Sequence, residues 1–306
     1  MAELSPSERA GEFRLGFAGD TFNTAWYLAQ IAKEVEVSYL TAVGDDAISD
    51  DMRAFIRASG ISDTHVRRIQ DETIGLYLIH LNNGERSFSY WRDQSAARQL
   101  AFDPALLEQA IEEADLIYYS GITLAILDPA SRDTLRNALR RGRDIGKTVA
   151  FDTNLRPRLW ASPAEMTDTI MKAAAQSDIV LPSFDDEAAW FGDSSSLATL
   201  ERYAKLGVGR IIVKNSDQPV VFQEAGQRGE VAIEPATDVV DTTAAGDSFN
   251  AGVLAGILRG DDLAVGILGG CRLASHVVQH KGALVPVDGS SYTTALHPTP
   301  AATKEG

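Results

Sequence analysis

Near the end of the chain, Asp241-Thr-Thr-Ala-Ala-Gly-Asp-Ser-Phe249 brings together residue types suited to handling a phosphate. Ala244, Ala245 and Gly246 have too little bulk to shield backbone N–H groups. Behind them Phe249, Val253, Leu254, Ile257 and Leu258 recur at helical spacing. A helix opening close to Ala245 presents bare N–H groups and the positive end of its dipole, which together suit an anion. Asp247, in the first turn, is placed to take a proton from a hydroxyl that attacks a bound phosphate. The plain alternative is that Asp241 and Thr242 only cap a helix whose small residues allow close packing. The bare Ala-Ala-Gly, the Asp after it and the long apolar helix behind favour the anion site.

Other stretches offer partners for that chemistry. Gly16-Phe-Ala-Gly-Asp-Thr-Phe-Asn23 sits just before a helical pattern at Thr24–Ala32, where small ligands are often gripped, although an ordinary cap has the same look. Asn154, Arg156 and Arg158 follow a short apolar run, and Arg156 can reach a substrate or its phosphates. Asp185, Asp186 and Glu187 open a helical pattern. Three acids there are more often dipole partners, but carboxylates of this kind also hold Mg²⁺ through water. The five histidines (His65, His80, His276, His280, His297) show no metal-ligand spacing with paired acids. No Gly-x-x-x-x-Gly-Lys-Ser/Thr string and no early Gly-x-Gly-x-x-Gly occur, which disfavours a P-loop kinase and a dinucleotide-binding dehydrogenase.

The elements that must position these residues alternate. Leu116–Tyr119, Thr148–Phe151, Ile179–Leu181 and Ile211–Val213 are short apolar runs, and helical patterns fill Pro129–Arg143, Pro163–Ala175, Asp185–Phe191 and Ser196–Lys205. That order predicts an α/β fold, a mainly parallel sheet with helices on both faces and ligands beyond the carboxyl ends of the strands. Earlier, Val35–Val43 reads as a strand and Ala47–Ser59 as a helix. Thr73–Leu81 and Glu85–Trp91 flank Asn82-Asn83-Gly84 as a hairpin, with Tyr77, Tyr90 and Arg92 on a β flap. The first fifteen residues are polar and show no strand pattern.

The chain has 306 residues, 44% of them hydrophobic, ample for a buried core. Lys plus Arg is 28 against 43 Asp plus Glu, a net charge of −15 with no basic run, so nucleic acid is not an expected partner. Cys271 stands alone, which excludes an intrachain disulfide and a cysteine metal site. No apolar run reaches membrane-span length, and the polar start is no signal peptide, so a cytoplasmic protein without a membrane partner is expected.

The Asp241–Phe249 string closely resembles the signature Asp-Thr-x-Gly-Ala-Gly-Asp of the ribokinase-like (PfkB) sugar kinases, with Ala244 where many members have Gly. Its Asp-Thr-Thr-Ala-Ala-Gly-Asp-Ser-Phe form is similar to the branch that phosphorylates 2-keto-3-deoxygluconate. Gly19, Asp20 and Asn23 match the family segment Gly-Gly-x-x-x-Asn that holds sugar hydroxyls, while Ala18 replaces its first Gly. Tyr90-Trp-Arg-Asp-Gln-Ser-Ala-Ala-Arg98 resembles the same branch, in which residues matching Tyr77, Tyr90 and Arg92 contact substrate beneath a lid. Two departures stand out. Ser183 and Asp186 occupy the family's Asn-x-x-Glu motif, and the usual glycines are absent from Lys214-Asn-Ser-Asp-Gln-Pro219.

The resemblance, from about Met1 to Val287, implies a ribokinase-like kinase domain over 1–295, lid strands at about 64–92 and a disordered tail at 296–306. It implies Asp247 as base, Ala244, Ala245 and Gly246 as the anion hole, and Gly19, Asp20, Asn23, Tyr77, Tyr90, Arg92 and Arg156 against the sugar. Asn154, Ser183, Lys214, Ser216 and Gly246 would face ATP, and Asp186 and Glu187 would hold Mg²⁺ through water; a monovalent cation is a further candidate cofactor. The activity implied is ATP-dependent phosphorylation of 2-keto-3-deoxygluconate. The alternatives are a fructose or ribose kinase, or a silent sugar-binding protein of the same fold. Lid-mediated dimers in the family imply a homo-oligomer. Relatives open with a strand ahead of a Met-x-Glu-Leu-like segment, whereas this chain opens at Met1-Ala-Glu-Leu4, as though that strand were missing.

Overall fold

The computed structural model describes residues 1–288 other than 8, 10, 83 and 84. The expected turn at Asn83 and Gly84 and the expected tail from Leu296 to Gly306 lie outside the described residues. The chain opens with β1 (Ala2–Pro6), β2 (Phe13–Phe17) and α1 (Asp20–Ile31), then β3 (Thr41–Val43), α2 (Ala47–Ala58) and β4 (Val66–Arg68). β5 (Leu76–Asn82), β6 (Glu85–Trp91) and α3 (Pro104–Glu113) follow. Alternation then runs through β7 (Leu116–Ser120), α4 (Gly121–Ala125), α5 (Pro129–Asp144), β8 (Thr148–Asp152), α6 (Pro163–Ala174) and β9 (Ile179–Val180). It continues with α7 (Phe184–Phe191), α8 (Ser196–Ala204), β10 (Arg210–Val213), β11 (Val220–Glu224), β12 (Gln227–Val231), α9 (Ala245–Arg259) and α10 (Leu263–Val278).

The main sheet has six strands in the order β12-β11-β10-β9-β8-β7. β7 to β10 are mutually parallel, and β11 and β12 add an antiparallel edge. Period-two alternation sends Val149, Phe151, Val180, Ile211 and Val213 to one face, against Leu139, Met166, Ile170, Leu200 and Tyr203 of the flanking helices. Ala150, Ile179, Leu181 and Ile212 face the other way, onto Val253 and Leu254 of α9 and Ile267 of α10. Each fully buried aliphatic side chain contributes roughly 1.5–3 kcal/mol. Both faces are covered, which is why the strands read as unbroken apolar runs.

Helix α9 lies deepest, and glycine sets how closely α10 approaches it. A Cβ on Gly252 would fall 2.6 Å from Gly270 Cα, and one on Gly256 would fall 2.6 Å from Gly266 Cα. Backbone therefore packs on backbone, and the amino end of α9 is held rigidly at the carboxyl edge of the sheet.

A separate four-stranded sheet, β2-β1-β5-β6, holds the hairpin expected as a lid. Here the reading of the first fifteen residues is corrected, because β1 and β2 are strands: β1 pairs with β2 antiparallel and with β5 in parallel. The partly exposed lid gives β1 and β2 no strict apolar alternation, and the β5 partner is far away in sequence. The lid thus combines residues 2–17 with 76–91, while β4, within the expected lid span, pairs with β3. The strand expected over Val35–Val43 shortens to Thr41–Val43, with Ser38 making only an isolated bridge to Ser62.

Among the described residues β7 pairs only with β8, and β3 only with β4. A cleft beside β3 and β7, lined by Leu40, Ile111, Ile117, Leu139 and Leu254, is part of a cavity of about 1350 Å³. β1 belongs to the lid and leaves that cleft open. The Met1 amine borders the cavity and donates to Ala18 O at 3.0 Å, and burial lowers its pKa to about 5.

Candidate active site

The same cavity continues from the cleft to the end of the sheet, where Gly19, Asp20, Asn23, Asn154 and Asp247 line it. At the start of α9, Ala244 holds the N-cap position without a side-chain cap and in a left-handed conformation, φ 61°. That conformation explains why Gly suits this position, since an L-residue is strained there by roughly 1–2 kcal/mol. Ser248 N bonds Ala244 O and Ala245 N bonds Thr242 O, whereas the N–H groups of Gly246 and Asp247 have no acceptor among the described residues. These two groups lie in the stretch expected to form an anion site. Asp241 does not cap the helix as in the plain alternative; its Oδ1 accepts from Thr243 N at 3.1 Å and its Oδ2 from Gly282 N at 2.7 Å, which ties the preceding loop together.

Asp247 Oδ2 accepts from Asn23 Nδ2 at 2.7 Å, and Thr24 Oγ1 donates to the Asp247 backbone carbonyl at 3.1 Å, so α1 braces the first turn of α9. Asn23 Oδ1 in turn accepts from Gly19 N at 3.0 Å, and Gly19 takes φ 146°, a conformation open to glycine. Asp20, next in line, accepts from Ser120 Oγ and from Asn154 Nδ2. Burial, reinforced by the Asp20 charge, pushes Asp247 up to about 7, against the opposing Asn23 hydrogen bond. Burial, with the Asp152 charge, pushes Asp20 up to about 6. A carboxylate near neutrality is matched to general-base work at physiological pH.

Beneath these groups lies a polar network built around Asn250, a residue that the sequence reading did not single out. Lys214 Nζ donates to Asp152 Oδ1 at 2.8 Å and to Asn250 Oδ1 at 3.2 Å. Asn250 Nδ2 donates to Asp152 Oδ2 at 3.0 Å and contacts the Tyr118 hydroxyl at 2.9 Å. Asp152 closes β8 and Asn250 lies one turn into α9. A polar residue on an otherwise apolar helix face was the available signal.

On the lid side, the Tyr77 hydroxyl donates to Glu3, a partner supplied by the unforeseen strand β1. Arg92 stacks over the Tyr90 ring, 4.2 Å from its centroid, and no carboxylate pairs with it among the described residues. Arg156 has φ 44° and reaches to 4.0 Å from Asp186. Arg92 and Arg156 line the same cavity as Asp247.

The remaining candidates scatter. Asn154, read as a nucleotide residue, donates to Asp20. Ser183 bridges to Lys214 beside the start of α7. Ser216 sits exposed in the β10–β11 turn with φ 51°, a left-handed site that a glycine would occupy without strain. Asp186 is half-buried, with its pKa raised by burial, and lies 4.0 Å from Arg156, which lines the cavity; a part-exposed carboxylate there fits a water-mediated Mg²⁺. Glu187 does not fit. It is fully buried, and its Oε2 accepts from Arg202 at 2.6 Å and from Tyr203 at 3.0 Å. Asp20, Asp152 and Asp247 place oxygens within 4.8 Å of one another, but Ser120, Asn154, Lys214, Asn250 and Asn23 already bond them.

The sequence profile described as pfkB family carbohydrate kinase matches residues 2–288. The 2-dehydro-3-deoxygluconokinase of Haemophilus influenzae is 42% identical to this chain, over 93% of each protein. That of Dickeya dadantii is 37% identical over 94% of this chain and 95% of its own length. Among solved structures, a PfkB protein from Polaromonas sp. JS666 superposes with a TM-score of 0.83 at 27% identity, covering 96% of both chains.

Proposed function

The chain belongs to the pfkB family of carbohydrate kinases, and from that premise we propose that it phosphorylates 2-keto-3-deoxygluconate with ATP to give 2-keto-3-deoxy-6-phosphogluconate. The observation that carries the reading is the position of Asp247, a carboxylate near neutral pKa beside unpaired N–H groups at the mouth of α9. Asp20, Asn154 and Asn23 are ready to orient hydroxyls in the same chamber. Asp247 takes the proton of the terminal hydroxyl as its oxygen bonds the γ-phosphorus. The bond from that phosphorus to the β–γ bridging oxygen breaks, and ADP departs. The Gly246 and Asp247 N–H groups stabilise the charge that develops on the moving phosphoryl group. Asp186 would hold Mg²⁺ through water; the ion supplies charge neutralisation of the nucleotide phosphates.

Arg92 and Arg156 support an acidic sugar. Both line the cavity, and a neutral sugar would leave the Arg92 guanidinium there without an anion and Arg156 with only Asp186, 4.0 Å away. A cytoplasmic location belongs to the same reading, and no described helix is long and apolar enough to cross a membrane. Phe13, Leu15, Tyr90 and Trp91 of the lid are 47–57% exposed, an apolar surface suited to a homo-oligomer. The test is ADP release with 2-keto-3-deoxygluconate, fructose and ribose, in wild type and Arg92→Ala. One charge-assisted bond is worth roughly 1.5–3 kcal/mol, so the acid should lead by about tenfold or more and lose most of that lead in the variant. Better turnover of fructose or ribose than of the acid would overturn the substrate assignment.

A further inference from the structure

The Lys214 ammonium stands where the anion site and the buried acids meet. Its side chain is 13% exposed and its partner Asp152 only 5%. Of its three N–H donors, two are used, on Asp152 at 2.8 Å and on Asn250 at 3.2 Å. A Cβ built on Gly246 would meet nothing within 4 Å except Lys214 Nζ, at 3.9 Å. No side chain therefore separates the ammonium from the first turn of α9, where Gly246 and Asp247 keep unpaired N–H groups. Asp152 and the fully buried Asn250 are in turn bonded to each other at 3.0 Å, so the lysine head is held from two sides.

We propose that Lys214 is a further catalytic residue, the cation that meets the transferred phosphoryl group. Asp152 and Asn250 are positioning residues that aim it at the start of α9. The inference rests on the kinase reading above and deepens it. The ligand is the terminal phosphate of a nucleoside triphosphate, bound between the Lys214 ammonium and the N–H groups of Gly246 and Asp247. A lysine present only to neutralise Asp152 would sit equally well with its remaining donor turned into protein. Instead that donor has no partner among the described residues, and open space lies beside Gly246.

The experiment compares Lys214→Gln, Lys214→Arg and the double variant Asp152→Asn/Lys214→Gln by calorimetric binding of Mg-ATP and Mg-ADP without sugar, followed by initial rates. Gln retains a donor for Asp152 but leaves that buried carboxylate without its counter-ion, whereas the double variant removes both charges of the pair and so tests the lysine without that cost. Expected for Lys214→Gln and the double variant is a fall in ATP affinity of about tenfold or more and in kcat of about 10²-fold or more. ADP affinity should stay within about threefold, and Lys214→Arg should recover most of the preference for ATP. Equal losses for ATP and ADP, or no loss for either, would overturn the assignment and leave Lys214 a structural counter-ion. The nucleotide comparison needs no turnover. A wild type that phosphorylates no sugar acid would therefore sink the substrate reading while the outcome for Lys214 remained readable.

Discussion

Replacing Gly246 with alanine should make the protein more stable and less active, and both effects follow from the same few ångströms. Gly246 is in the first turn of α9 and has no positive φ, so alanine can adopt its backbone without strain. A Cβ there makes one contact, with Lys214 Nζ at 3.9 Å, which is ordinary van der Waals separation. Nothing in the protein must move. The fold gains the usual helix advantage of alanine over glycine, about 0.5–1 kcal/mol, or a Tm rise of about 1–2 °C for a chain of this size. The methyl, however, enters the space between the bare N–H groups and the lysine, where the phosphoryl group must lie. Displacing a reacting group by about 1 Å can cost about 10²-fold in rate. Thermal melts and steady-state kinetics on one preparation read both effects. A Gly246→Ala enzyme with kcat within about threefold of wild type would show that the transferred phosphate is held elsewhere.

Asp247→Asn should lower kcat by at least about 10²-fold, and wild-type kcat/KM should rise with pH through about 7, because the base must be ionised to accept a proton; a pH-independent wild-type rate between about 5 and 9 would remove Asp247 from the proton transfer. The sign for stability is opposite. A carboxyl raised from 3.8 to about 7 favours the neutral form in the folded state, so its destabilisation is absent below the unfolded pKa and complete only above about 7. Asp247→Asn should therefore melt higher than wild type at pH 8 and no higher at pH 4, as differential scanning calorimetry would show. At the other end of the chain, six apolar strand-forming residues placed ahead of Met1 should raise Tm. The peptide bond removes an amine whose pKa falls from 8.0 to about 5, a cost of about 1 kcal/mol at pH 7. The added strand can also pair with the open edges of β7 and β3. An unchanged Tm and unprotected amide hydrogens in the added segment would show that the cleft takes no strand.

The amino-acid sequence alone determined the parts of this protein whose physics is local. Helix α9, its bare first turn and Asp247 are adjacent in the chain, and apolar periodicity marked the strands β7 to β10 because both faces of that sheet are covered. Caps such as Asp128, Ser162 and Ser195 act on amide groups three residues away, which explains why the starts of α5, α6 and α8 were legible to within a residue, whereas α1, whose N-cap Gly19 makes no side-chain cap bond, starts at Asp20 and not at the expected Thr24. Tertiary structure decided whatever depends on partners far apart in sequence. β1 looked like polar coil because only pairing with β5 makes it a strand. Glu187 looked like its neighbour Asp186, yet burial against Arg202 and Tyr203 consumes its charge while Asp186 stays open. Asn154 meets Asp20 across 134 residues, and Asn250 meets Asp152 across 98. Local spacing carries no record of such encounters. They arise when the ends of β8 and β10 meet the first turns of α1 and α9 at one edge of the sheet, where burial raises the pKa of Asp20 and Asp247.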